Sequence, residues 1–183
     1  MTEDQKHIWE REKRAVRQLR DGLDKPVDRR VVGVVAALRL IGIHTDASCG
    51  GHVDRAISPY VAFSSPQSRG LRRRADEDGD PRFRRRFLRR AAQQNAQELQ
   101  RLLPYLDKFY RARAVPPRQR LIVQGFVVIG HRLTAQSADL VHVVSKDERH
   151  ELVDVQRQEF DAFAEFLKAK FFGTKDGTPP RAA

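Results

Sequence analysis

The chain has 183 residues and 40% hydrophobic content, long enough for one domain with a real core and too short for two ordinary ones. Its longest apolar stretches, Val31 to Ile43 and Leu121 to Ile129, are interrupted by Gly33, Arg39, Gln124 and Gly125 and fall short of the roughly 20 residues a membrane helix needs, so no membrane partner is expected. A formal net charge of +11, carried mainly by arginine, makes phosphate-rich partners favourable through counterion release and puts nucleic acid first among them. The opening MTEDQKHIWEREK lacks the apolar core of a secretory signal, and the single cysteine excludes an internal disulfide, so a cytoplasmic location is expected.

In chain order, Trp9, Val16, Leu19 and Leu23 form the stripe of an amphipathic helix over 4–23, stopped by Gly22 and the following Asp24, Lys25 and Pro26. Pro26 fits the first turn of a second, largely buried helix over Val27 to Ile41. Gly42 fits the left-handed position after it, with Ile43 folding back. Short strands are predicted from Ile43 to Cys49 and from Pro59 to Ser64. Residues 65–82 mix glycine, proline and opposed charge blocks and predict an exposed, mobile loop. The longest helical signal runs from Arg82 to Arg113, with Pro104 expected to kink or split it. Gln119 to Gln136 reads as two strands, LIVQ and a longer FVVIGHRLTAQ after a bend at Gly125, with Gly130 marking a bulge. Ser145 and Glu148 form a capping box before a last helix whose stripe includes Leu152, Phe163, Leu167 and Phe171. The order predicts a single α+β domain over 1–173, a small, mostly antiparallel sheet packed against three to five helices, with a disordered tail over 174–183.

Chemistry concentrates in GIHTDASCGGHVD, from Gly42 to Asp54. Cys49 and His52 stand three residues apart, and Gly50 and Gly51 permit the backbone angles that would fold them to one side. Three readings are open. In the first, the turn cradles an anionic ligand with Thr45, Ser48, Gly50 and Gly51, while His52, Asp54 or Arg55 orients it. In the second, Cys49 is a nucleophile, His52 the base that lowers its effective pKa, and Asp54 the carboxylate that orients the imidazole. The third is a metal half-site, which would have to recruit His44, His131 or His142; no metal site is expected. Against all three stands a plain strand-to-loop corner whose glycines serve geometry.

The arrangement of Gly42, Thr45, Ser48-Cys49 and Gly51-His52 after an apolar helix resembles a group of small, uncharacterised bacterial proteins with a GxxTxxSCxGH turn, as do Tyr60 to Ala62 and the segment 156–172. More distantly, SCGGH is similar to the SCSGR signature of the wybutosine-synthesis methyltransferase family, matching Ser48, Cys49 and Gly51, with His52 in place of the arginine. That likeness implies a turn that helps hold a tRNA base or S-adenosylmethionine, with Ser48, Cys49 and His52 at its edge.

Arg84, Arg85, Arg86, Arg89 and Arg90 belong to the densest positive region and surround Phe83 and Phe87. Either they track a phosphate backbone, or they pair internally with the acidic run at Asp76, Glu77, Asp78 and Asp80. Trp9 and the phenylalanines of the last helix fall on apolar stripes and read as core. No Walker loop, dinucleotide fingerprint, HExxH or GxSxG pattern occurs. The expectation is an RNA-associated protein that binds or modifies RNA through the Cys49 turn and the arginine-rich helix. A small-molecule enzyme using the Cys49/His52 pair on an anionic substrate, and a non-catalytic homodimeric interaction module, are the alternatives; the cofactor is unknown.

Overall fold

The computed structural model describes residues 1–21, 24–126 and 128–173. Among them the chain forms five α-helices and one four-stranded antiparallel sheet, an α+β fold. Expectations that rest on Gly22, Leu23, Val127 and the tail from residue 174 lie outside the described residues.

Helix α1 (Glu3–Gln18) opens on a capping box in which the Thr2 hydroxyl accepts from the Gln5 N–H and the Gln5 side chain accepts from the Thr2 N–H. It buries Trp9 and Val16. The second helical signal starts later than its periodicity suggests: Asp28 caps a 3-10 turn over Arg29–Val31, and α2 proper runs Val32–Leu40. Pro26 instead bridges back to Arg20, which places Asp28 rather than Pro26 at the entry. Val32, Val34, Val35, Ala36, Ala37 and Leu38 are all buried, as a central helix packed against both α1 and α5 requires. Gly42 adopts φ +82°, and the Ile43 N–H returns to the Leu38 carbonyl at 2.9 Å, the expected helix ending.

Strands β1 (Thr45–Cys49) and β2 (Tyr60–Phe63) pair antiparallel, and β3 (Leu121–Gly125) and β4 (His131–Ala135) complete the sheet in the order β1-β2-β4-β3. Val61, Phe63, Leu121 and Leu133 turn inward to join Leu38, Leu102, Phe109, Phe160, Phe163 and Leu167 in one core. Trp9 is 6% exposed and belongs to the same core, as its stripe predicts. β4 is shorter than the sequence signal. Phe126 donates its N–H to the Gly130 carbonyl and Ile129 donates to the Phe126 carbonyl, each at 3.0 Å, so Phe126 and Ile129 belong to a hairpin turn and not to the strand. Gly130 serves that turn, not a bulge: its φ is +140°, and a Cβ there would sit 2.6 Å from the Phe63 carbonyl oxygen.

The segment read as a loop over 65–82 is largely helical. α3 (Pro66–Glu77) begins with proline at its first turn, buries Ser68 and Ala75, and forms an antiparallel pair with α4 (Pro81–Arg111). The charge blocks that suggested a loop lie on its outer side, where Arg73 and Glu77 approach at 3.7 Å one turn apart. Asp80 then caps α4 by accepting from the Arg82 N–H at 2.7 Å. Pro104 lies within α4 without splitting it. α5 (Lys146–Gly173) opens on the predicted capping box, with the Ser145 N–H donating to the Glu148 carboxylate at 2.9 Å.

Asn95 ties α4 to the sheet. Its Oδ1 accepts from the Ser65 N–H at 3.0 Å, its amide donates to the Val128 carbonyl at 2.9 Å, and its own carbonyl lies 3.0 Å from His131 Nε2. Asn95→Ala leaves the buried Ser65 donor without this acceptor and is expected to cost about 1–3 kcal/mol, read as a lower urea midpoint with the far-ultraviolet spectrum retained.

Candidate functional site

The loop that follows β1 is held from outside by α5. His52 and Ile57 exchange backbone hydrogen bonds at 2.8 and 3.0 Å, closing a tight turn over Val53 to Ala56. Arg157 donates to the carbonyls of Gly50 and Gly51, each at 2.8 Å, and Arg149 donates to the Val53 carbonyl at 3.0 Å. Between the two arginines Val153 packs with Val53 and Val141. Gly51 has φ +81°, and a Cβ there would meet Pro59 and Val153 at 2.9–3.0 Å. At Gly50 a Cβ would stand 2.8 Å from the Asp28 carboxyl carbon, so the missing side chain lets Asp28 reach the turn. Asp28 then accepts from the Gly50 N–H through Oδ2 and from the Arg30 N–H through Oδ1, both at 3.0 Å.

Cys49 and His52 are brought together as expected, and Asp28 stands with them: one ligand atom from each of the three lies within 4.8 Å of the others. The carboxylate at the pair is therefore Asp28, not Asp54. Asp54 is exposed and pairs with Lys146 at 2.8 Å, and that contact holds its carboxyl below the usual range. Sequence spacing could not nominate Asp28, because it acts as a helix-entry cap and meets the turn only through the fold. Arg55 is exposed and acts on the thiol only as a weak distant charge.

The thiol is shifted opposite to the expected activation. Cys49 is 9% exposed, and burial pushes its pKa up, with the Asp28 charge adding to that and the Gly51 N–H and Arg157 opposing it. Of the other histidines, His44 lies 3.6 Å from Asp46, His131 is buried against Asn95, and His142 sits in the 3-10 turn Ala138–His142.

Thr45 and Ser48 do not share the Cys49 cluster. Consecutive strand residues face opposite ways, so Ser48, opposite Val61, points away from Cys49, opposite Tyr60. Both hydroxyl residues line a separate cleft of about 200 Å³ along the outer edge of β1, together with Arg20, Lys25, Arg39, His44, Asp46 and Arg69.

The arginine-rich helix resolves into a stripe. Arg82, Arg85, Arg86, Arg89, Arg90 and Gln93 stand together on one exposed face. At 100° per residue they fall on one side of α4, opposite buried Ala91 and Asn95. Arg84, two residues from Arg82, points the other way and is not part of this face, while Arg82 and Gln93 join it. Among the described residues none of these arginines makes an ion pair; within the acidic run, Glu77 lies 3.7 Å from Arg73, and Asp78 and Asp80 accept from the Asp80 and Arg82 N–H groups.

A second surface was not visible in the sequence. On the sheet face away from the core, the Arg132 guanidinium lies over the Tyr60 ring at 4.4 Å and over the Phe126 ring at 5.4 Å, with Phe126 47% exposed. Alternation in the FVVIGHRLTAQ segment marks Arg132 as outward-facing, but its two rings come from β2 and from the hairpin tip.

Comparison with known proteins gives no match to a family model, a curated protein or a solved structure. In chelator-treated protein, iodoacetamide should label Cys49 slowly, with a midpoint above that of an unperturbed thiol. Asp28→Asn should move that midpoint down, because the removed charge opposes the thiolate.

Proposed function

We propose that the protein binds single-stranded RNA, with the α4 stripe as its phosphate contact. The observation that carries the reading is the set of five arginines, Arg82, Arg85, Arg86, Arg89 and Arg90, on the side of the helix away from the core and without ion-pair partners among the described residues. Arginines that supported the fold would sit near carboxylates or buried surface, as Arg113 does in its paired contact with Glu159 at 3.0 Å. The five arginines of the stripe have no such partner among the described residues, unlike Arg101 and Arg111 farther along α4, which pair with Glu98 and Asp107, and so their guanidinium groups remain available to phosphate oxygens.

The Tyr60–Arg132–Phe126 stack supports a single strand over a duplex. Unpaired bases can lie on aromatic and guanidinium planes, whereas a duplex offers only its backbone and groove edges. The likeness of Ser48, Cys49 and Gly51 to the tRNA-modifying signature favours RNA over DNA.

If all five arginines contact phosphates, the logarithm of affinity should fall with the logarithm of salt with a slope of about −3.5, or about 100-fold between 50 and 200 mM. Fluorescence anisotropy with a labelled single-stranded RNA measures this. Combining Arg85→Ala and Arg89→Ala should reduce the slope by about 1.4, while Arg84→Ala should change it little. A flat salt response, or a slope unmoved by the double substitution, overturns the reading; equal binding of duplex DNA removes the role of the aromatic stack.

A further inference from the structure

We propose that Asp28, Cys49 and His52 form a divalent transition-metal site, suited to zinc, with three protein ligands and one position open to solvent or a ligand. The assignment is independent of RNA binding and rests on geometry. Three donors of different type converge to within 4.8 Å of one another from separate parts of the chain: the entry to α2, the end of β1 and the loop after it. Tetrahedral zinc places such donors about 3.3–3.6 Å apart. The exposed His52 side chain supplies the remaining movement, because its backbone is fixed to Ile57 while its ring projects toward solvent.

The surroundings are those of held ligands. Each Asp28 oxygen already accepts one backbone N–H, from Arg30 or from Gly50, which fixes the carboxylate and leaves lone pairs for a cation. Gly50 is the only residue type that fits between Asp28 and the turn, since a Cβ would stand 2.8 Å from the Asp28 carboxyl carbon. Arg157 directs its guanidinium to the Gly50 and Gly51 carbonyls and to Asp154, which locks the loop and turns those carbonyls outward.

The donor set selects the metal. One sulfur, one imidazole nitrogen and one carboxylate oxygen make a mixed site that suits Zn²⁺ better than Mg²⁺ or Ca²⁺, which require oxygen ligands. On binding, the Cys49 thiol gives its proton to solvent and the sulfur forms the metal bond. The thiolate and carboxylate charges then balance the dication, with neutral His52 as third ligand and water as fourth. No oxidation or reduction is involved.

The test uses the full chain, stripped with chelator and titrated with Co²⁺ and Zn²⁺. One Co²⁺ per chain is expected, with visible bands of tetrahedral intensity and a near-ultraviolet thiolate-to-cobalt band, both displaced by Zn²⁺. Cys49→Ser should abolish the thiolate band, and His52→Ala should weaken Zn²⁺ binding by at least about tenfold. Because His52 is exposed, that variant keeps the fold intact even where replacing the buried Cys49 does not. Absence of a thiolate band in the native chain, or zinc affinity unchanged in His52→Ala with a native melting curve, overturns the proposal.

Discussion

Arg149, Val153 and Arg157 recur at four-residue intervals along one side of α5, and the loop after β1 owes its shape to them. The two guanidinium groups bind the carbonyls of Gly50, Gly51 and Val53, and the valine between them packs against the inner wall of the same loop. A glycine-rich segment has many conformations to lose on folding, and charge-assisted hydrogen bonds to its carbonyls offset that cost where side chains cannot. With the loop held, Cys49 closes the end of β1, Asp28 enters through the gap at Gly50, and His52 is delivered to the outer side.

The arginine stripe and the Cys49 cluster connect to opposite ends of one strand pair. Cys49 pairs with Tyr60 at one end of β2, whereas Phe63 at the other end leads directly into α3 and its antiparallel partner α4. The arginine stripe is thus carried on a helical pair that leaves the sheet on the side away from the Cys49 turn. The arginine stripe and the Asp28–Cys49–His52 cluster share no residue, whereas the Tyr60–Arg132 stack lies beside the cluster, because Tyr60 is the strand partner of Cys49.

Much of the fold was legible because hydrophobic period and cap chemistry are local. The helices at Trp9 and Phe163, the Gly42 ending, the Ser145 cap and the strands at Tyr60 and Leu121 each follow from a few neighbouring residues. The segment from Pro66 to Glu77 misled because its charges looked like loop composition, while the small buried positions that dock it on α4, Ser68 and Ala75, carry almost no hydrophobic signal. The site was only half legible for a related reason. Density of polar types pointed to Cys49 and His52, but Asp28, Arg149 and Arg157 arrive from distant segments, and nothing in their local spacing marks them. Asp54 and Ser48 were drawn in by proximity in sequence; a salt bridge to Lys146 and the two-residue period of the strand send them elsewhere.

β1 ends the sheet on one side, and an edge of this kind exposes backbone donors and acceptors to any other extended chain. Here Arg20, Lys25, Arg39 and Arg69 border that edge, with Asp46 bound to Arg69 at 2.6 Å. An incoming polypeptide would have to strip hydration from several ions before it could register its amides against Thr45 to Ser48. Charge along the rim thus disfavours fibril-like stacking on the one edge that β1 leaves open.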